Sequence, residues 1–161
     1  MHFEMPYYHS TLGLDVPDQN LAGVLTVRAI PTSAKSGEQL VWEALAEPIG
    51  APPLSELARG KKNALIITSD HTRNMPSRVT MPLLLAAIRR FNPDIEVTIL
   101  IATGLHRKTT PEEISARFGE ELAARETILV HDAFDAAQMQ YVCTLPSGAG
   151  FSVNKKVLEA E

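Results

Sequence analysis

Three short segments concentrate the side chains able to do chemistry. Ser69–Arg73 reads Ser-Asp-His-Thr-Arg and puts a carboxylate, an imidazole, a hydroxyl and a guanidinium in consecutive positions. Thr103–Lys108 adds a second imidazole, His106, beside two cations, and His131-Asp132 adds a third. The planar fork of Arg73 suits bidentate binding of a carboxylate or phosphate; the alternative is a loop arginine paired with Asp70. His106 lies just after Gly104, whose missing side chain allows backbone and ligand to approach closely. An imidazole titrates near neutrality, as a general acid or base must, and the alternative is a surface loop histidine. Asp70 is placed either to orient a histidine or to cap the next segment. His71 has a bracing role open to it, as do His131 and Asp132 at the end of their strand. Arg107 and Lys108 are either solvated or help to draw in anions.

The elements that must carry these segments alternate regularly. Ala64–Thr68 is a short apolar run of strand type, and Pro76–Arg90 follows as a helix whose two prolines suggest an irregular start near Pro82. Glu96–Ala102 is the next strand. Thr110–Glu113 forms a capping box with proline at the first helical position, and its helix runs through Ile114 and Phe118 to a stop or kink at Gly119. Thr127–Val130 is a third strand. Strand, helix, strand, helix, strand at this spacing implies parallel pairing through right-handed crossovers. Ligands of such sheets bind beyond the carboxyl ends of the strands, where all three polar segments fall. The expected fold is therefore α/β, a three-layer parallel-sheet (Rossmann-like) core over residues 61–161. Residues 1–60 form an N-terminal β-rich elaboration. There Leu21–Ile30 reads as a strand, Ser36–Gln39 opens an amphipathic helix, and a short helix over Pro53–Arg59 stops at Gly60.

Composition narrows the classes without choosing among them. The length of 161 residues suits a single domain, and 45% hydrophobic with 21% charged residues is ordinary for a globular chain. A formal net charge of -4 does not favour nucleic-acid binding. The single cysteine, Cys143, cannot form an internal disulfide and reads as a small buried hydrophobe. No apolar run approaches the length of a membrane span, and Met1–Tyr8 does not read as a signal peptide, so the default location is cytoplasmic. A dinucleotide fingerprint, a phosphate loop, a Gly-x-Ser-x-Gly elbow and paired metal-ligand spacings are all missing. Leu145–Phe151 is glycine-rich but reads as a turn.

Taken in order, Pro48–Gly50, Glu56–Gly60, Ser69–Arg73, Pro76-Ser77, Pro82–Leu84, Ile101–Arg107, Leu145–Gly148 and Asn154-Lys155 resemble the nickel-dependent lactate racemase family over nearly the whole chain. The resemblance implies a two-domain protein more than twice this length, with a nickel-pincer nucleotide in the cleft between domains. It implies that Asp70, His71, Thr72 and Arg73 contact that cofactor. Arg73 would also hold the carboxylate of a small 2-hydroxy acid substrate, and His106 would be one of two acid/base histidines in a transient hydride transfer.

The same resemblance places the second acid/base histidine and the lysine that tethers the cofactor in a stretch closely following the region that matches Val157–Glu161, with a further histidine, also absent from residues 1–161, ligating nickel. The expectation is that residues 1–161 are the N-terminal domain of such an enzyme, inactive without the second domain and carrying no metal ligand of their own. The sequence leaves open a homo-oligomer. It also leaves open two other readings of the chain, a stand-alone nucleotide- or carboxylate-binding module and an assembly domain.

Overall fold

A computed structural model describes residues 1–161, which form two compact units, Met1–Ala34 and Lys35–Glu161. The first unit holds an antiparallel hairpin of β1 (His2–Tyr7) and β2 (Ser10–Asp15), closed at a turn where Tyr8 takes a φ of 55°. The amino terminus donates to the Val16 carbonyl and pairs with Asp18, each at 2.7 Å. The expected strand over Leu21–Ile30 does not form. β-Branched composition fits a pleated surface but does not create a ladder, and no strand of this chain pairs with the segment, which leaves Leu25, Val27 and Ile30 exposed.

In the second unit α1 (Gly37–Ala46) starts at a complete capping box, Ser36 accepting from the Gln39 amide while the Gln39 side chain accepts from Ser36 N–H. Next come α2 (Leu54–Leu57), β3 (Asn63–Ser69), α3 (Ser77–Phe91), β4 (Glu96–Ala102), α4 (Pro111–Phe118), α5 (Glu120–Arg125) and β5 (Thr127–Val130). β6 (Met139–Thr144), β7 (Gly150–Asn154) and α6 (Lys155–Glu159) complete the chain. The sheet is parallel in the order β3-β4-β5, which is the α/β architecture expected. α1 and α2 pack on α3, so residues 35–60 belong to the same unit as the sheet.

Period-two alternation divides the sheet between two faces. Val97, Ile99 and Ile101 of β4 point into a core with Met81, Leu85 and Ile88 of α3, Phe118 of α4 and Leu122 of α5. Leu100 on the opposite face shares a crevice with Lys155, Lys156 and Glu159 of α6. Ile99, Ile101 and Leu85 are almost completely enclosed, and burying each contributes about 1.5–3 kcal/mol.

α3 begins at Ser77, not near Pro82, which sits inside it. The buried positions Ser77, Met81, Leu85 and Ile88 recur at helical spacing across the proline. That continuous face outweighs the hydrogen bond that a proline nitrogen cannot donate. At Gly119, φ 91° and ψ 148° end α4 and begin α5, so of the stop or kink expected there the chain makes a stop followed at once by a new helix. Leu145 and Gly148 form the expected turn, here between β6 and β7, two strands not anticipated from the sequence. Cys143 lies exposed on β6, not buried as expected, in a two-stranded ribbon with no third strand, where all but the first residue of β6 are exposed. No helix is long and apolar enough to cross a membrane.

Candidate functional site

Strand register decides which loops meet. β3 and β4 pair Ser69 with Ala102, so Asp70 and Thr103 leave the sheet side by side. From Thr103 the chain makes one turn, closed by His106 N–H donating to the Thr103 carbonyl at 3.0 Å. Gly104 makes that turn possible, with a φ of 58° that L side chains rarely adopt. The turn carries His106 back over Asp70.

There His106 Nδ1 lies 2.6 Å from Asp70 Oδ2. A carboxylate only accepts, so Nδ1 carries a proton, and whenever the ring is neutral its lone pair lies on Nε2. The other oxygen of Asp70 accepts from Thr72 Oγ1 at 2.6 Å and from Thr72 N–H at 3.1 Å. Asp70 is only 2% exposed whereas the His106 side chain is 49% exposed, so a buried anion orients a half-exposed imidazole. Burial alone pushes the Asp70 carboxyl up. The Thr72 and His106 hydrogen bonds outweigh it and bring the group down to about 2. Asp70 serves both roles open to it, Oδ2 orienting His106 and Oδ1 capping the turn at Thr72.

Arg73 is held at its backbone, its N–H donating to the Asp70 carbonyl at 3.2 Å. Its guanidinium is exposed, and the pairing with Asp70 considered above does not form: the carboxylate turns to Thr72 and His106 instead. Arg73 lines a cavity of about 570 Å³ together with His71, Arg78, Glu113 and Arg117. Neither Arg73 nor Arg78 has a protein partner for its guanidinium. The N-terminal turn of α3 opens beside them with no side-chain cap.

Other candidates are tied into the scaffold. Arg107 makes a fork to Glu113 at 2.6 and 2.9 Å, and Lys108 pairs with Asp132 at 3.0 Å. The Arg107 fork, the Thr110 amide and the charge of Arg107 hold the Glu113 carboxyl down at about 2. The charge of His71 acts the same way, its Nδ1 standing 3.8 Å from Glu113 and sealed from solvent without a hydrogen-bond partner. His131 serves the end of its strand: its N–H donates to the Ile101 carbonyl, its own carbonyl accepts from Thr103, and its ring meets Asn154. Asp132, Asp135 and Gln138 close the loop behind it. Sequence reasoning missed Arg78 and Arg117. A helical arginine carries no local sign of partners more than 40 positions away, which is where those of Arg117 lie.

Relatives of known identity share this arrangement of sequence. Residues 7–161 match the family model described as the lactate racemase N-terminal domain. The chain is 47% identical to a lactate racemase of Thermoanaerobacterium thermosaccharolyticum over 99% of its own length, and 41% identical to that of Lactiplantibacillus plantarum over 98%. It covers 38% of each, so it spans about two fifths of these relatives. The structure of the T. thermosaccharolyticum apoprotein superposes with a TM-score of 0.88, at 47% identity over 100% of this chain and 37% of that one. A Thermotoga maritima protein shares the fold at a TM-score of 0.59 and 22% identity, over 76% of this chain and 31% of that one. By these matches, which run through both polar loops, the chain belongs to the lactate racemase N-terminal domain family.

Proposed function

We propose that this domain is the substrate- and cofactor-holding part of a 2-hydroxy acid racemase, lactate being the substrate of its named relatives, and that it is inactive without a second domain. The observation that carries the reading is the Asp70–His106 pair at 2.6 Å, with Asp70 on the same loop as Arg73, whose guanidinium has no protein partner.

Inverting a carbon that bears a hydroxyl and a carboxylate requires a fixed hold on the carboxylate and a base at the hydroxyl. Arg73 supplies the hold through two parallel N–H donors. The Nε2 lone pair of His106 takes the hydroxyl proton and returns it. Asp70 fixes the tautomer and stabilises the imidazolium that forms, as the buried carboxylate of a Ser-His-Asp triad does. A second base is needed when the hydroxyl lies in its other orientation, and we place that base in the second domain.

The nickel-pincer nucleotide that the resemblance implies supplies a hydride acceptor when bound. The residues present suit its nucleotide end. Two unpaired guanidiniums, Arg73 and Arg78, and the uncapped start of α3 line one cavity, a setting for a phosphate. His71, Thr72 and Arg73 would line its site and Asp70 would act from behind them by fixing Thr72, while no three His, Cys, Asp or Glu side chains converge to hold a metal ion. We place the metal ligand and tether in the second domain, and the protein in the cytoplasm.

The test is a racemisation assay on this chain alone and on a chimera with the remainder of the T. thermosaccharolyticum racemase. The isolated chain should give no turnover. The cofactor-loaded chimera should interconvert the lactate enantiomers and lose that in at least one direction with His106→Ala. Turnover by the isolated chain, or full activity of His106→Ala in both directions, overturns the proposal.

A further inference from the structure

We infer that Arg117 is a positioning residue that fixes the Ser69–Arg73 loop and, through it, the guanidinium of Arg73. The inference rests on the reading of Arg73 as the carboxylate holder. Arg117 stands in the last turn of α4 and reaches across to the end of β3. Its Nη2 donates to Ser69 Oγ at 2.9 Å and its Nη1 to the Arg73 carbonyl at 3.1 Å. The two acceptors are the first and last residues of the segment, so one rigid fork spans it.

The loop's own bonds are few. Arg73 N–H donates to the Asp70 carbonyl, Met75 N–H to the Arg73 carbonyl, and Thr72 to the Asp70 side chain. All three lie within a few residues and fix the local turn, not its position on the domain. Besides Arg117, the segment is held from outside at Ser69 by its pairing with Ala102, at His71 by Glu113 at 3.8 Å, and at Asp70 and Thr72 by His106 at 2.6 and 3.5 Å; Arg117 is what reaches its last residue, Arg73. If His106 is the moving base, Arg117 is the anchor that does not take part in proton transfer.

A second feature separates Arg117 from an ordinary structural arginine. It has no carboxylate partner, since both acceptors are neutral, and its Nε is sealed from solvent with no acceptor. Arginines elsewhere in this unit that bridge elements do so to carboxylates, as Arg89 does to Glu126. Arg117 thus adds a charge with no carboxylate on its fork to the cavity it lines with Arg73 and Arg78, whose one carboxylate, Glu113, is already forked to Arg107. The anion that enters completes the neutralisation, which a fork paired to a carboxylate would already have achieved.

The test compares wild type with Arg117→Met, Arg117→Lys and Arg73→Met in this chain. It reads amide exchange at Thr72, Arg73 and Met75, L-lactate affinity by NMR titration, and the melting temperature. In Arg117→Met those amides should exchange roughly tenfold faster and lactate affinity should fall by roughly as much, the effect of about one hydrogen bond. Arg117→Lys, which keeps the charge and one donor, should fall between. Arg73→Met should lose affinity and leave exchange unchanged. Exchange within twofold of wild type in Arg117→Met overturns the inference, as does faster exchange with unaltered affinity. If wild type binds no lactate, the proposed function fails on its own account. The exchange comparison then still decides, acceleration upholding the clamp on the loop and no change refuting it.

Discussion

Asp70→Asn isolates the orienting carboxylate with almost no change in shape. The amide oxygen can still accept from Thr72 N–H and Oγ1, but the amide nitrogen then faces His106 Nδ1, where the carboxylate oxygen stood at 2.6 Å. Two donors cannot share that line, so the ring must move its proton to Nε2 or swing away. In the wild type a hydrogen bond to a charged group is worth about 1.5–3 kcal/mol, which biases the tautomer toward Nδ1–H by about ten- to a hundredfold. His106 is half exposed, which puts the bias at the low end of that range. Long-range proton–nitrogen spectra at a pH where the ring is neutral read the tautomer directly. They should show Nδ1–H in the wild type and Nε2–H in the variant. The stability lost should be about 1–2 kcal/mol, a fall of about 2–8 °C in Tm for a domain of this size. In the complete enzyme the turnover that depends on His106 should drop on the order of 10⁴-fold, the scale seen when a triad's orienting carboxylate becomes an amide. A wild type already in the Nε2–H form, or an Asp70→Asn enzyme within tenfold of wild-type turnover, refutes the assignment of Asp70.

Acid should unfold this domain partly through Asp70 and Glu113, both held at about 2 in the folded chain, below their ordinary values. Their contribution is present above about pH 5 and is lost as pH falls toward 2, so Tm should drop over that window and drop less in Asp70→Asn. Arg89→Met leaves the carboxylate of Glu126, whose side chain is 2% exposed, with Arg125 as its one remaining partner. Urea denaturation should show a loss of about 2–4 kcal/mol, and a loss below about 1 would mean that Arg125 suffices. Gly119→Ala forces a Cβ onto φ 91° and ψ 148°, and should cost about 1–3 kcal/mol by the same measurement while leaving the tautomer of His106 unchanged.

How far the sequence revealed this molecule depended on whether the deciding interaction was local. The parallel sheet was legible because buried strands read as unbroken apolar runs, and Glu96–Ala102 is such a run. The capping box at Thr110–Glu113 was legible because its four residues are the whole motif. Leu21–Ile30 failed for the opposite reason. It has the composition of a strand, but a strand exists only with a partner, and the chain offers none. The start of α3 failed because Pro82 is a local signal overruled by a buried face that runs from Ser77 to Ile88.

The site divides along the same line. Its residue types and their place at strand ends were legible, since a parallel sheet gathers its loops at one edge. The partners were not. Nothing local says whether Asp70 pairs with Arg73, three residues on, or with His106, thirty-six residues on. The register of β3 against β4 decides it: the Ser69–Ala102 pairing sets Asp70 level with Thr103, and the single turn through Gly104 then leaves His106 above it. A one-residue slip of that register would turn every side chain of β4 to the other face of the sheet. The same slip would withdraw His106 from the carboxylate. The core contacts of Ile99 and Ile101, far from any polar group, therefore fix the chemistry at Asp70 as firmly as the loops that carry it.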